Sequence, residues 1–248
     1  MASISQLPAG DDNSSALATT PDPAWIAPIY LLLYLSYLFW HQESELGHWI
    51  SLVTIPLLLV LLTAVTFGEG GGSRGLVRRV MRSVGLVGGR WRRGLFLALA
   101  LGVLIGFYQM FASRWAEEIL DILRSGEVLW RLPLAFVLMA MTAGFTEEFF
   151  FRGFLQTRLE ALTGSRPAGL LLASVSFGVF HLPYAFFNPN WPSAGEWGAA
   201  WGAALVEGVP GGLVLGGLYL VSGRNLWACI ILHALINAVP GMTMLRFG

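Results

Sequence analysis

The sequence predicts an all-α fold: a polytopic membrane helix bundle of about seven (six to eight) transmembrane helices around an intramembrane polar cavity. Three observations predict it. First, hydrophobic residues make up 55% of the chain and charged residues only 12%, about half the charged share of an ordinary soluble domain. Second, apolar runs long enough to cross a bilayer recur from Trp25 to the C-terminal region. Third, all 15 basic residues are arginine, none precedes Arg74, and seven crowd between Arg74 and Arg93. Basic loops flanking spans stay cytoplasmic, so this clustering speaks of membrane topology and not of a nucleic-acid partner.

Residues 1–22 form a polar tail with Asp11, Asp12 and Asp22 and no basic residue, unlike the positively charged start of a secretory signal. This tail is expected to be disordered, and residues 23–248 form the membrane domain. The first span, Trp25 to Trp40, is bracketed by tryptophans, as interfacial anchors would be. The second runs from about Trp49 to Phe67, after an acidic loop flanked by His41 and His48, both expected to be solvated. Residues 68–94 are rich in arginine and glycine, either a solvated loop or a basic helix on lipid built on Arg78, Arg79 and Arg82. The third span covers Leu95 to about Ala112, and Trp115 to Arg131 reads as a surface helix. The fourth begins near Leu132, the fifth covers about Ala168 to Phe187, the sixth about Trp197 to Val221, and the seventh Leu226 to about Met244. Gly208, Gly212 and Gly216 recur every four residues in the sixth span, as close helix packing requires. The single cysteine, Cys229, lies in an apolar run and reads as a buried thiol.

Seven spans with residues 68–94 inside put the N-terminus in the cytoplasm, and the connection Arg152–Arg166 then also falls inside. Rise per residue allows a depth check. With boundaries near Arg158, Ala168 and Leu226, Glu147 lies about 16 Å deep, His181 about 20 Å and His233 about 10 Å. The spread of about 10 Å is within what helix tilt accommodates. Three polar motifs on three spans can therefore meet in one pocket.

An ionisable residue inside a membrane is a functional-site hypothesis in its own right. Glu148 and Arg152 are four apart, so on a helix they share a face and can pair. Glu147 points about 100° away and lacks that counter-ion. Burial disfavours the charged form of such a carboxylate, which suits a general base working near neutral pH. Phe177 and His181 are four apart on the fifth span, and His233 and Asn237 four apart on the seventh. The last two present an imidazole and an amide to one spot, where they can hydrogen-bond a developing oxyanion. The run Phe149 to Phe151 reads as packing.

These residues carry a resemblance. The ordered set Glu147-Glu148…Arg152, Phe177…His181 and His233…Asn237 resembles the motifs of the glutamic intramembrane proteases, which include type II CAAX prenyl endopeptidases and their bacterial relatives, the CPBP or ABI family. The run Gly211-Gly212…Gly216-Gly217…Tyr219 resembles the same family, and the likeness covers about residues 130–240. It implies membrane helices around a conical cavity open to the cytosolic side. It further implies that Glu147 activates the hydrolytic water, His181 helps hold it, His233 and Asn237 stabilise the oxyanion, and Glu148 and Arg152 shape the site. Members of the family process prenylated proteins, confer immunity to bacteriocins or act as scaffolds.

The expected activity is therefore intramembrane endopeptidase, without cofactor or metal. Two histidines and a glutamate could bind zinc as a three-ligand site, but the His-Glu-x-x-His spacing is absent. No span contains Asp, and none contains a Gly-x-Ser-Gly. The non-enzymatic alternatives are an immunity or scaffold protein, or a transporter, the last favoured by Glu207 and the break at Pro210 in the sixth span. Expected partners are membrane lipids and a membrane-associated protein or peptide substrate, lipidated or not. The absence of lysine points to a GC-rich bacterial genome, hence to a multi-pass protein of the bacterial plasma membrane.

Overall fold

The computed structural model describes residues 23–40, 45–67, 77–78, 81–189 and 191–245. Every regular element among them is helical. Helix α1 spans Ile26–Trp40, α2 Glu45–Phe67, α3 Trp91–Ala112 and α4 Ala116–Ser125. Helix α5 spans Val128–Thr163, α6 Arg166–Phe187, α7 Trp197–Val221 and α8 Leu226–Met244. The polar tail over 1–22, His41, the side chain of His48 and much of the arginine-rich connection lie outside the described residues.

Five helices, α3 and α5 to α8, are long and apolar enough to cross a membrane, while Ile26–Trp40 and the Leu57–Thr66 part of α2 are shorter apolar helices. The seven expected spans thus correspond to seven helices, of which Ile26–Trp40, with 15 residues, is the short one among the described residues. One boundary differs from expectation. The surface helix does not reach Arg131: α4 ends at Ser125 because Gly126 adopts φ +77°, and the next helix begins at Val128. A left-handed glycine after the last turn is a common helix stop, since it carries no Cβ to clash. Helix α4 buries Ile119 and Ile122 against Ala135 of α5 and Met242 of α8.

Ser165 accepts a hydrogen bond from the Ala168 amide at 3.4 Å, and Asn225 from the Ala228 amide at 3.3 Å, fixing where α6 and α8 start. Inside a bilayer, lipid tails are as apolar as leucine, so helices associate through close van der Waals packing and not through escape from water. The small residues serve that purpose. A Cβ on Gly208 would lie 2.7 Å from Gly178 Cα, and one on Gly212 2.8 Å from Ser174 Cα, so α7 packs on α6 backbone to backbone. Gly94, Ala98, Gly102 and Gly106 form a buried stripe on α3, and Gly94, Gly102 and Gly106 lie against Ala228, Leu235 and Val239 of α8.

Helix α5 positions the site. Its first part packs on α8 through Ala135 but leaves Leu129 83% and Met141 70% exposed, whereas every residue from Thr146 to Gln156 is buried. Two stretches of wide turn, Ala140–Gly144 and Phe149–Gln156, flank the four-residue α-turn Phe145–Glu148. Wide turns bond i to i+5, re-aim the side chains around them and concentrate at functional sites. Three consecutive buried phenylalanines require neighbours on every side. Phe149 stacks on Phe145, Phe150 meets Tyr34, and Phe151 meets Phe177 and Phe180.

Candidate active site

The fully buried carboxylate of Glu148 pairs with Arg152 at 2.8 Å, Nη1 to Oε1. The i to i+4 pairing expected from spacing holds although Arg152 lies in a wide turn. Arg152 finds two further partners across the bundle. Its Nη2 donates to the Gly212 carbonyl of α7 at 3.4 Å, and its guanidinium lies 4.1 Å from the centre of the Phe177 ring. A cation over an aromatic face is attracted by the ring quadrupole, more strongly where water is excluded. The sequence marked Phe177 only as a motif member. The structure shows it touching three site residues, because the same ring meets His181 and His233 edge-on.

His233 reaches the cluster from α8. Its Nδ1 lies 2.7 Å from Glu148 Oε1, the oxygen that Arg152 also holds. An ionised carboxylate only accepts, so Nδ1 carries the proton and a neutral ring turns the Nε2 lone pair outward. His181 on α6 has the same arrangement: its Nδ1 lies 2.7 Å from the Phe177 carbonyl, which again only accepts. The two Nε2 atoms face the same place. Glu147 Oε2 lies 4.0 Å from His181 Nε2 and 3.9 Å from His233 Nε2, and this oxygen has no hydrogen-bond partner among the described residues.

Three acceptor atoms from three helices thus point at one spot, too far apart to bond each other directly. A contact of that length between polar atoms is the span one water bridges. The arrangement has room for a small donor between these acceptors.

His233 and Asn237 are one turn apart on α8, and His233 Nδ1 is turned to Glu148. Asn237 is half-buried and makes no hydrogen bond among the described residues, so its amide is the neutral donor left on that helix. Sequence reasoning also passed over Tyr34 on α1, which is 1% exposed and packs on Phe150 and Phe180. It missed, too, the polar continuation of the Glu148–Arg152 stripe. Gln156 donates to Glu160 at 3.1 Å, and Glu160 pairs with Arg224 at 2.6 Å. The i, i+4 repeat Glu148, Arg152, Gln156, Glu160 was the signal that could have found it. Glu207, in the wide turn Ala204–Gly208 of α7, is exposed and belongs to no polar contact of this cluster.

Glu147, His181 and His233 are the residues that would make up a metal set, but among the described residues no group of three or more His, Cys, Asp or Glu is arranged to hold an ion. Cys229 is buried, with its sulfur 3.5 Å from the Leu215 carbonyl.

Residues 129–239 match the family model of the type II CAAX prenyl endopeptidases, Rce1-like. Over that segment the chain is similar to the Rce1-like family. No curated protein and no solved structure matches the chain. The Rce1-like segment holds every residue of the three polar motifs, from Glu147 to Asn237. It is less than half of the 248 residues, and it leaves out α1 to α4. Tyr34, which reaches the aromatic packing under the site, therefore comes from outside the Rce1-like segment.

Proposed function

We propose that this protein is an intramembrane endopeptidase that hydrolyses a peptide bond in a membrane-associated protein or peptide, using water activated by Glu147. The observation that carries the reading is the approach of Glu147 Oε2 to both His181 Nε2 and His233 Nε2 at 3.9–4.0 Å. A water in that position donates one hydrogen to Glu147 and another to an imidazole lone pair. Glu147 removes the first proton as the oxygen attacks the scissile carbonyl carbon, and the protonated carboxyl then returns it to the leaving amine. The tetrahedral oxyanion needs donors aimed at it. The Asn237 amide supplies one, and His233 supplies another only after gaining a second proton. Glu148 and Arg152 hold the His233 ring in its working tautomer, as the buried carboxylate of a catalytic triad holds its histidine.

The likeness to the family supports a choice of substrate class. A type II CAAX prenyl endopeptidase cuts near a lipidated cysteine, so a lipidated peptide lying in the bilayer is the first substrate to try. We place the protein in a bacterial plasma membrane with its N-terminus in the cytoplasm, on the arginine-rich connection and the absence of lysine. The transporter reading loses its main support because Glu207 lies exposed, outside the polar cluster.

Proteomic comparison of membranes containing the intact protein or its Glu147→Ala form tests the reading. Membrane proteins or peptides shortened only in the presence of intact protein support it. Identical peptide profiles in a host whose membranes carry its native partners would favour an immunity or scaffold role.

A further inference from the structure

The Tyr34 side chain is out of place as plain packing. Its ring is clamped between the two helices that carry the site, 5.4 Å from Phe150 of α5 and 5.6 Å from Phe180 of α6. Phe150 is three residues after Glu147, and Phe180 directly precedes His181. The hydroxyl is buried and has no hydrogen-bond partner among the described residues. Burying an unpartnered hydroxyl destabilises a fold, and a phenylalanine would pack the same space without that cost. Such a group in a native structure calls for an explanation. Glu147 Oε2 is itself unpartnered. Two orphaned polar groups, one a donor and one an acceptor, thus border the same aromatic packing, in which the Tyr34 ring meets Phe150 and Phe180.

We propose that Tyr34 is a positioning residue of this site: its hydroxyl, through one bridging water, holds the Glu147 carboxyl and the water it activates in register with His181 and His233. The inference rests on the hydrolytic reading of Glu147 and extends it to a helix outside the family segment. Tyr34 supplies a donor in addition to the Asn237 amide, which serves the oxyanion. Glu147 Oε2 and both imidazole Nε2 atoms are acceptors, so a water giving its two hydrogens to two of them still has lone pairs to be oriented. A phenol O–H at the fourth corner orients them and so turns the attacking lone pair toward the substrate. The function needs geometry and not charge. Loss of the hydroxyl should therefore slow turnover without weakening substrate binding.

The test uses the full chain in liposomes with a fluorescence-quenched peptide that ends in a farnesylated CAAX sequence. Wild type, Tyr34→Phe and Glu147→Gln are compared. The phenylalanine keeps the ring contacts with Phe150 and Phe180. We expect Tyr34→Phe to lower kcat about tenfold, the worth of one hydrogen bond, with KM within about twofold. Its melting temperature should equal or exceed that of wild type, because an unpartnered hydroxyl has been removed. Unchanged kcat would overturn the inference, as would a fall in kcat matched by a fall in melting temperature, which marks a structural role. The Glu147→Gln arm separates the two levels. If it stays active, the glutamate mechanism fails and Tyr34 loses its purpose. If it is dead while Tyr34→Phe runs at full speed, only the role of Tyr34 fails.

Discussion

His233 is bound to Glu148, 85 positions away in sequence, and not to its helical neighbour Asn237: Nδ1 and Oε1 are 2.7 Å apart. The same oxygen holds Arg152 at 2.8 Å, so one carboxylate joins α5 to α8 and balances the guanidinium between them. A charge removed from water is tolerated only while its partner stays in place.

Neutralising Glu148 should therefore cost stability first and activity second. Glu148→Gln leaves Arg152, 2% exposed, with the Gly212 carbonyl and the Phe177 face as its remaining partners. Losing one member of a buried pair typically costs about 3–5 kcal/mol. The double variant Glu148→Gln/Arg152→Met should recover much of that loss, since it removes the unpaired charge as well. Thermal unfolding of the purified variants in one detergent checks both. A double variant no more stable than the single would show that the charge pair is not what binds these helices.

Glu147 carries the opposite expectation. Its Oε2 is held by no hydrogen bond among the described residues, so Glu147→Gln should leave the fold intact and abolish cleavage, because an amide cannot take a proton from water. Near-normal cleavage by this variant, measured on membranes with equal protein content, would rule out the glutamic mechanism.

Asn237 is expected to act in the transition state alone. Asn237→Ala should lower turnover by about 10²–10³ while substrate is still captured by photocrosslinking. His233→Ala should be at least as damaging and also less stable, since it strips Glu148 of one of its two partners. If Asn237→Ala loses substrate capture while bound substrate turns over normally, the residue docks substrate and the oxyanion assignment falls.

Metal analysis decides the remaining chemical alternative. No set of three ligands among the described residues is arranged to hold an ion, so purified active protein should carry no stoichiometric zinc and should survive strong chelators. One zinc per chain, lost together with activity, would recast Glu147 and the two histidines as its ligands.

Exposure predicts that Glu207 is dispensable for cleavage. An exposed side chain away from the packed helices changes stability little, so Glu207→Gln should keep activity within about twofold in the same membrane assay. A large loss would return the sixth span to the substrate path.

Periodicity and composition were enough for the all-α membrane class, for the helix positions and for the Glu148–Arg152 pair, because those depend on hydropathy along the chain and on the repeat of a single helix. The i, i+4 rule speaks only of neighbours on one helix, however, and it placed His233 and Asn237 on one face without seeing Glu148 across the bundle. Which way an imidazole turns depends on what lies beyond its helix. Only the tertiary structure brings Glu148 to the Nδ1 of His233 and the Phe177 carbonyl to that of His181, and so leaves two lone pairs facing Glu147. The wide turns of α5 were equally invisible, since an extra residue in a turn is paid for by packing on several neighbours and leaves no period in the sequence. Tyr34 was hidden for the same reason: a tyrosine in a run of leucines looks like packing until its hydroxyl is found buried, unpartnered and beneath the site.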